Sequence, residues 1–200
     1  MTQRKRLHPE LRRQQIVAAA IRVFFEMGYE GASLRDLAAH VGINKATVYH
    51  YFASKEEILY HILREVGSGL LEGVRRAAAL DGNPLDALEA MIRFQIEYME
   101  DHLEEVKVLV EEKKSLRADL MHTTRGTESE ILRLYKDTLV RCAEQGLIRP
   151  VQVTTAAFGI LGQINWFYHW YRPDGPLSIQ ELAEQVVCLL LHGLVPHPNA

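Results

Sequence analysis

Apolar residues recur every three or four positions along almost the whole chain. In RRQQIVAAAIRVFFEMGYE they place Ile16, Ala19, Ala20, Val23 and Phe24 on one stripe, the spacing of an amphipathic helix. Gly28 stands where such a helix closes. SLRDLAAHVG predicts a second helix, with Ser33 as N-cap, Asp36 three residues on and Gly42 at its end. Asn44 then caps KATVYHYF. Ser54 and Glu57 form a capping box that opens a long helix running to about Leu80. Gly67 and Gly69 weaken the middle of that helix and predict a bend.

Asn83, Pro84 and Asp86 mark the next start, for a helix to about Asp101. A shorter helix covers EEVKVLVEEKKSL. One or two more fill 117–145 and close at Gly146. Residues 153–171 read as a helix rich in small and aromatic side chains. RPDGPLS is a turn, and Ser178 with Glu181 opens a last helix. No segment alternates as a strand would. The expected fold class is all-α with about nine helices. Residues 1–54 form a three-helix N-terminal domain, and residues 55–200 a larger helical body.

Charge divides the chain at the same place. Residues 1–55 hold nine Lys/Arg and four acids, a net of +5, whereas the remainder is acidic although the total is only -3. A basic front on an acidic body points to a polyanion met by the front alone. At 48% hydrophobic and 24% charged the composition is that of a soluble globular protein. The longest apolar run, 186–191, is too short to span a bilayer, and no apolar segment follows the basic N-terminus as in a signal peptide. The expectation is a cytoplasmic protein with no membrane partner. Cys142 and Cys188 lack metal-site spacing and read as small hydrophobes. The nine histidines show no two-His zinc pattern, and the chain has no phosphate loop, nucleophile elbow or Gly-rich dinucleotide turn. No enzyme activity, catalytic residue, metal or cofactor is therefore expected. A helical adaptor that ignores DNA is the contrasting reading, and it would show no DNA shift at any salt concentration.

LRDLAAHVGINKATVYHYF has the form helix, glycine turn, helix. Leu34, Leu37, Ala38, Val48 and Phe52 face one core, which leaves Lys45, Ala46, Thr47, Tyr49 and Tyr51 outward. A second helix of this kind enters the major groove with its first turn at base edges. Ala46 permits close approach and contact with a thymine methyl. Thr47, Tyr49, Tyr51 and Lys55 are candidates for phosphates, and Arg35 for a phosphate or a guanine edge. Arg4, Lys5 and Arg6 form a basic arm suited to the backbone or minor groove. Solvated polar residues on a plain packing unit are the alternative for this whole stretch.

IVAAAIRVFFEMGYEGASLRDLAAHVGINKATVYHYFASKEEIL resembles the N-terminal DNA-binding domain of the TetR family of bacterial transcriptional regulators. The likeness lies in the helix ending F-x-x-x-G-Y, in SLRDLAxxVGI, in TVYHYF and in SKEEIL. Ser33 and Asn44 stand where threonine and serine are frequent, and all four residue types can cap. The resemblance implies operator contacts from Arg35, Lys45, Ala46, Thr47, Tyr49, Tyr51 and Lys55. It also implies an Ω-like homodimer on a palindromic double-stranded DNA operator, with an all-helical ligand-binding and dimerisation domain.

Two jobs are then open to the body. The last two long helices are candidates for a four-helix dimer interface, with Ala156, Ala157, Gly159 and Gly162 for close approach and Ile160, Leu161, Ile164, Phe167 and Trp170 for apolar area. Core packing within a monomer is the alternative. Met91, Phe94, Tyr98, Leu109, Phe158, Asn165 and Trp166 are candidates to line an effector cavity, with Gln95, Met99 and Lys113 beside them; ordinary core packing is again the alternative. INWFYHWYRPDGPLS looks like the penultimate-helix segment of members that respond to acyl-CoA thioesters. That likeness implies an acyl chain in the cavity and CoA phosphates near Arg117, Arg125, Arg133 or Arg172. The function expected is a ligand-responsive repressor released by a small hydrophobic effector, an acyl-CoA, with a drug or aromatic effector as the alternative.

Overall fold

The computed structural model describes residues 8–194, with Thr123, Gly193 and Leu194 described by their backbone alone. The basic arm of Arg4, Lys5 and Arg6 lies outside the described residues. Among the described residues eight α-helices follow one another: α1 (Pro9–Gly31), α2 (Leu34–Val41), α3 (Lys45–Tyr51), α4 (Lys55–Ala78), α5 (Pro84–Glu112), α6 (Ala118–Glu144), α7 (Val153–Trp166) and α8 (Ile179–Leu194). Short 3-10 turns occupy Lys113–Ser115 and Phe167–His169, and there is no strand among the described residues.

The expected nine helices are eight because the segments ending near Asp101 and beginning near Glu104 are one helix, α5. It is kinked at His102, whose φ of -132° and ψ of 26° leave the helical region. The expected bend in α4 is absent as a break: α4 runs through Gly67 and Gly69 from Lys55 to Ala78. The helix expected over 153–171 ends at Trp166 and tightens into a 3-10 turn. Gly28 does close the regular part of α1, with φ +72°, before one further turn. Its conformation is left-handed, where a side chain would be strained.

The chain divides into two compact units. The first contains everything described up to Val66 together with Glu104–Thr124. Its core gathers Ile16, Phe24, Leu37, Val48, Phe52 and Ile58, each at most 1% exposed, and is completed by Val108 from α5 and Leu116 from the following turn. The second holds Gly67–Leu103 and the chain from Arg125 onward. Its interior is built from Val74 of α4, Leu88, Met91 and Ile96 of α5, Tyr135 and Leu139 of α6, Ile160 and Ile164 of α7 and Ala183 of α8, all buried. The α4 glycines serve this unit through close approach. A Cβ at Gly73 would sit 1.8 Å from the Phe94 ring, and one at Gly69 would sit 2.6 Å from the Tyr98 hydroxyl. Two α5 aromatics therefore rest on bare α4 backbone.

Candidate nucleic-acid interface

Local chemistry fixes the helix-turn-helix. The Ser33 hydroxyl accepts the Asp36 N–H at 3.3 Å, and the Asp36 carboxylate accepts the Ser33 N–H at 2.9 Å, which closes a reciprocal cap at the start of α2. The Ser33 hydroxyl also donates to that carboxylate at 2.6 Å, and these bonds hold the Asp36 carboxyl below its ordinary range. Gly42 ends α2 in the left-handed conformation, and the Ile43 N–H returns to the Ala38 carbonyl. Asn44 caps α3 by accepting the Thr47 N–H at 2.7 Å. From that start, Val48 is buried on one side of α3 and Phe52 follows it into the same core.

Burying Val48 turns the opposite side of α3 to solvent. Lys45, Ala46 and Tyr49 are exposed there, with the Lys45 ammonium 5.5 Å from the Tyr49 ring centre. Arg35 is exposed on α2. Three of the expected contacts carry structural duties as well. The Thr47 hydroxyl donates to Asn44 Oδ1 at 2.8 Å. Tyr51 is half-buried against the core, edge-on to His50. The Lys55 ammonium donates to the carbonyls of Tyr29 at 2.6 Å and Ala32 at 2.9 Å and lies 4.0 Å over the Tyr29 ring. One Lys55 N–H remains for a phosphate. Beside this surface, Arg12, Gln15, Arg22 and His40 line a groove of about 430 Å³ between α1 and α2.

Residues outside the helix-turn-helix hold it in place, a role that the sequence patterns did not assign to them. The Glu112 carboxylate accepts the Tyr29 N–H at 3.1 Å. Glu56 accepts the Arg117 N–H at 2.8 Å, with the Arg117 guanidinium 3.6 Å from its other oxygen. Lys107 lies 4.6 Å over the Phe25 ring. Tyr29 and Glu112 stand 83 positions apart, a separation that helical periodicity does not bridge.

The expected effector residues are divided between the two units. Met91 is buried in the second unit, and Phe94 and Tyr98 are half-buried there, ring centres 5.6 Å apart. Leu109 packs on the core of the first unit instead. Phe158, Asn165 and Trp166 face outward, Phe158 at 57% and Trp166 at 62% exposure. The residues expected at a dimer surface divide: Ala157, Ile160, Leu161, Ile164 and Phe167 are buried within the unit's own interior, whereas Gly159, Gly162 and Trp170 are exposed and Ala156 is half-buried. Both sets lie on α7 and the turn after it, and periodicity alone does not say which face turns inward. Of the arginines considered for CoA phosphates, Arg133 is held by Glu130 and Asp137, and Arg117 by Glu56 and Asp119. Arg125 and Arg172 are exposed. Arg172 lines an apolar cavity of about 270 Å³ with Trp170, Tyr171, Pro176, Leu177 and Leu182. No helix among the described residues is long and apolar enough to cross a membrane, and no cluster there could hold a metal ion.

Comparison with known proteins assigns this architecture. Residues 16–62 match the model of the bacterial regulatory proteins of the tetR family, and residues 81–194 match the tetracyclin repressor-like C-terminal domain. The HTH-type transcriptional repressor KstR2 of Mycobacterium tuberculosis is 28% identical over 185 residues, covering 92% of each chain. The crystal structure of PfmR from Thermus thermophilus, a TetR family transcriptional regulator, superposes with a TM-score of 0.84 at 34% identity, covering 90% of this chain and 99% of that one. AibR, solved in complex with isovaleryl coenzyme A and operator DNA, gives a TM-score of 0.82 at 29% identity, covering 89% of this chain and 97% of its own. The chain belongs to the TetR family of bacterial transcriptional regulators.

Proposed function

We propose that this regulator is a homodimeric repressor that sets two copies of α3 into successive major-groove segments of a palindromic operator. A hydrophobic effector, an acyl-CoA thioester, releases it. The DNA half of this reading is carried by one observation: Val48 and Phe52 anchor α3 while Lys45, Ala46 and Tyr49 stay exposed. A helix held by one buried side presents the other at a fixed angle, as major-groove readout needs. Lys45 supplies a cation, Ala46 an uncrowded surface, and Tyr49 with Arg35 supplies phosphate donors. The first 54 residues read DNA, and the chain from Lys55 onward dimerises and senses. The protein acts by binding, without enzymatic chemistry, in the cytoplasm.

Dimerisation is supported by the outward side of α7. Phe158, Gly162 and Trp166 recur at one-turn spacing and are exposed, and a Cβ at Gly159 or Gly162 would meet nothing within 4 Å. Leu189 on α8 is 69% exposed. Large apolar side chains flanking glycines suit a second copy at short range.

The effector class is supported by the AibR likeness, by the segment INWFYHWYRPDGPLS, and by Arg172 beside the apolar walls of its cavity. Release follows if the thioester binds the DNA-incompetent spacing of the two α3 helices more tightly than the competent one. A coupling of about 1–3 kcal/mol then weakens operator binding roughly 5- to 150-fold. The test is fluorescence anisotropy of the protein on DNA that it has selected from a random-sequence pool. Acyl-CoA thioesters of graded chain length should lower the anisotropy where free CoA does not. If no thioester at any length displaces the protein, the effector class is wrong.

A further inference from the structure

Two buried side-chain oxygens inside the second unit have no hydrogen-bond partner. Gln95 on α5 is 3% exposed and its Oε1 is unmatched; Tyr135 on α6 is 0% exposed and its hydroxyl is unmatched. Burial alone raises the Tyr135 phenol well above its ordinary pKa, so it stays protonated and able to donate. Buried polar atoms are nearly always satisfied, and each orphan is costly.

Register assigns the two orphans to one layer of the α5–α6 seam. The Thr138 hydroxyl of α6 lies 3.6 Å from the Met91 sulfur of α5. α5 and α6 are consecutive helices joined by a short link, so they run in opposite directions. One turn forward from Met91 is Gln95, and one turn back from Thr138 is Tyr135. The next layer of the α5–α6 seam therefore holds both an unmatched acceptor and an unmatched hydroxyl, within a largely apolar interior.

The surroundings define what can satisfy them. Among the described residues, the buried side chains of this unit that carry polar atoms include Gln95, Thr138 and the phenols of Tyr135, Tyr168 and Tyr171, and none is charged. A carboxylate or phosphate entering here would lose its hydration, and the Arg141 guanidinium, which donates to the Thr138 hydroxyl at 3.3 Å, belongs to an exposed residue and is shared with the Ala78 carbonyl. A bare hydrocarbon would leave both orphans as they are. A hydroxyl donates to Gln95 Oε1 and accepts from Tyr135 at once. The half-buried Phe94 and Tyr98 rings, neighbours of Gln95 on α5, fill notches over Gly73 and Gly69, and an occupant beside Gln95 requires those rings to rotate outward.

We infer that Gln95 and Tyr135 are the polar anchor of an effector site in this unit, and that its occupant is an uncharged, largely apolar molecule carrying a hydroxyl. The inference rests on the reading of this unit as the sensing one. If the effector is a thioester, its acyl portion bears the hydroxyl and its charged portion stays outside this interior.

The test uses the full chain without DNA and two neutral probes of matched size, 1-decanol and 1-chlorodecane. Apparent affinities come from the dependence of the thermal midpoint on probe concentration. In the wild type decanol should bind about tenfold more tightly than chlorodecane, the effect of one buried hydrogen-bonded group. In Tyr135→Phe and in Gln95→Leu that preference should disappear. Ligand-free Tyr135→Phe should melt no lower than wild type, because it removes a hydroxyl that has no partner. Equal affinities in the wild type, no binding of either probe, a preference that survives Tyr135→Phe, or a lower melting point for ligand-free Tyr135→Phe would each overturn the assignment. The probes carry no CoA, so failure of thioesters to release DNA leaves this result standing, and the converse also holds.

Discussion

The Glu112 carboxylate near the end of α5 accepts the backbone N–H of Tyr29 at 3.1 Å, just past the turn at Gly28. The carbonyl of that same Tyr29 accepts the Lys55 ammonium at 2.6 Å. The Tyr29 residue is thus held at both polar ends, by a carboxylate from α5 and an ammonium from α4. α4 and α5 both continue into the second unit. Within the first unit, the Tyr29 peptide is therefore tied to both α4 and α5.

Removing the carboxylate should loosen that hold. Glu112→Ala should lower stability by about 1 kcal/mol, the net value of a partly buried hydrogen bond to a charged group after solvent screening. Operator affinity without effector should change little, while the fold-reduction in affinity caused by effector should shrink. Paired binding isotherms with and without effector check this. An undiminished effector response in Glu112→Ala rules out the contact as part of the coupling.

Gly73→Ala should destabilise, although alanine favours helices by about 1 kcal/mol over glycine. The added Cβ lands 1.8 Å from the Phe94 ring, which must leave its seat. Overpacking of this kind costs about 1–3 kcal/mol. The double variant Gly73→Ala, Phe94→Ala should be more stable than the two single effects added together, as a thermal-denaturation double-mutant cycle would reveal. Strict additivity would mean that the glycine does not seat the ring.

Acid sensitivity should report the α4–α6 ion cluster. Hydrogen bonds from Arg133, with help from Arg75, hold the Glu130 carboxyl down at about 2 against an ordinary 4.5. A carboxyl depressed in the folded state stabilises above its unfolded pKa and loses that contribution as pH falls toward the folded value. The window is therefore about pH 4.5 down to about 2. Glu130→Gln should have a shallower fall of melting temperature across that window than wild type, and should differ little in slope near neutrality. Parallel curves through the window would contradict the pairing.

Much of this architecture was legible in the chain. The caps at Ser33, Asn44, Ser54 and Ser178 are local chemistry, spelled out within four residues, and each forms a side-chain bond of the expected kind. The buried positions Leu37, Val48 and Phe52 follow from the 3.6-residue period. What periodicity leaves open is tertiary. α7 is apolar nearly all round, so the period does not reveal that Ile160 turns inward and Trp166 outward. The ties from Glu112 to Tyr29 and from Glu56 to Arg117 join distant segments through single carboxylates that carry no local signature. Gly67 and Gly69 read as weak points, yet Gly69 is there to admit the Tyr98 hydroxyl.

The outward side of α7 should decide the oligomeric state. Phe158→Glu with Trp166→Glu should give a folded monomer, since neither side chain contributes to the buried interior. Sedimentation would show half the wild-type mass with helical content retained. Operator affinity should fall steeply, because one α3 makes too few contacts for tight specific binding. A double variant that sediments as wild type excludes this face as the interface.

The most direct measurement is selection of DNA from a random-sequence pool by the purified protein, repeated with Lys45→Ala and Tyr49→Ala. The wild type should enrich an inverted repeat whose half-sites lie about one helical turn, or a multiple of it, apart. Both variants should bind that repeat more weakly while melting as the wild type does. Enrichment of no sequence, or full affinity in both variants, would contradict the assignment of α3 as the element that reads DNA.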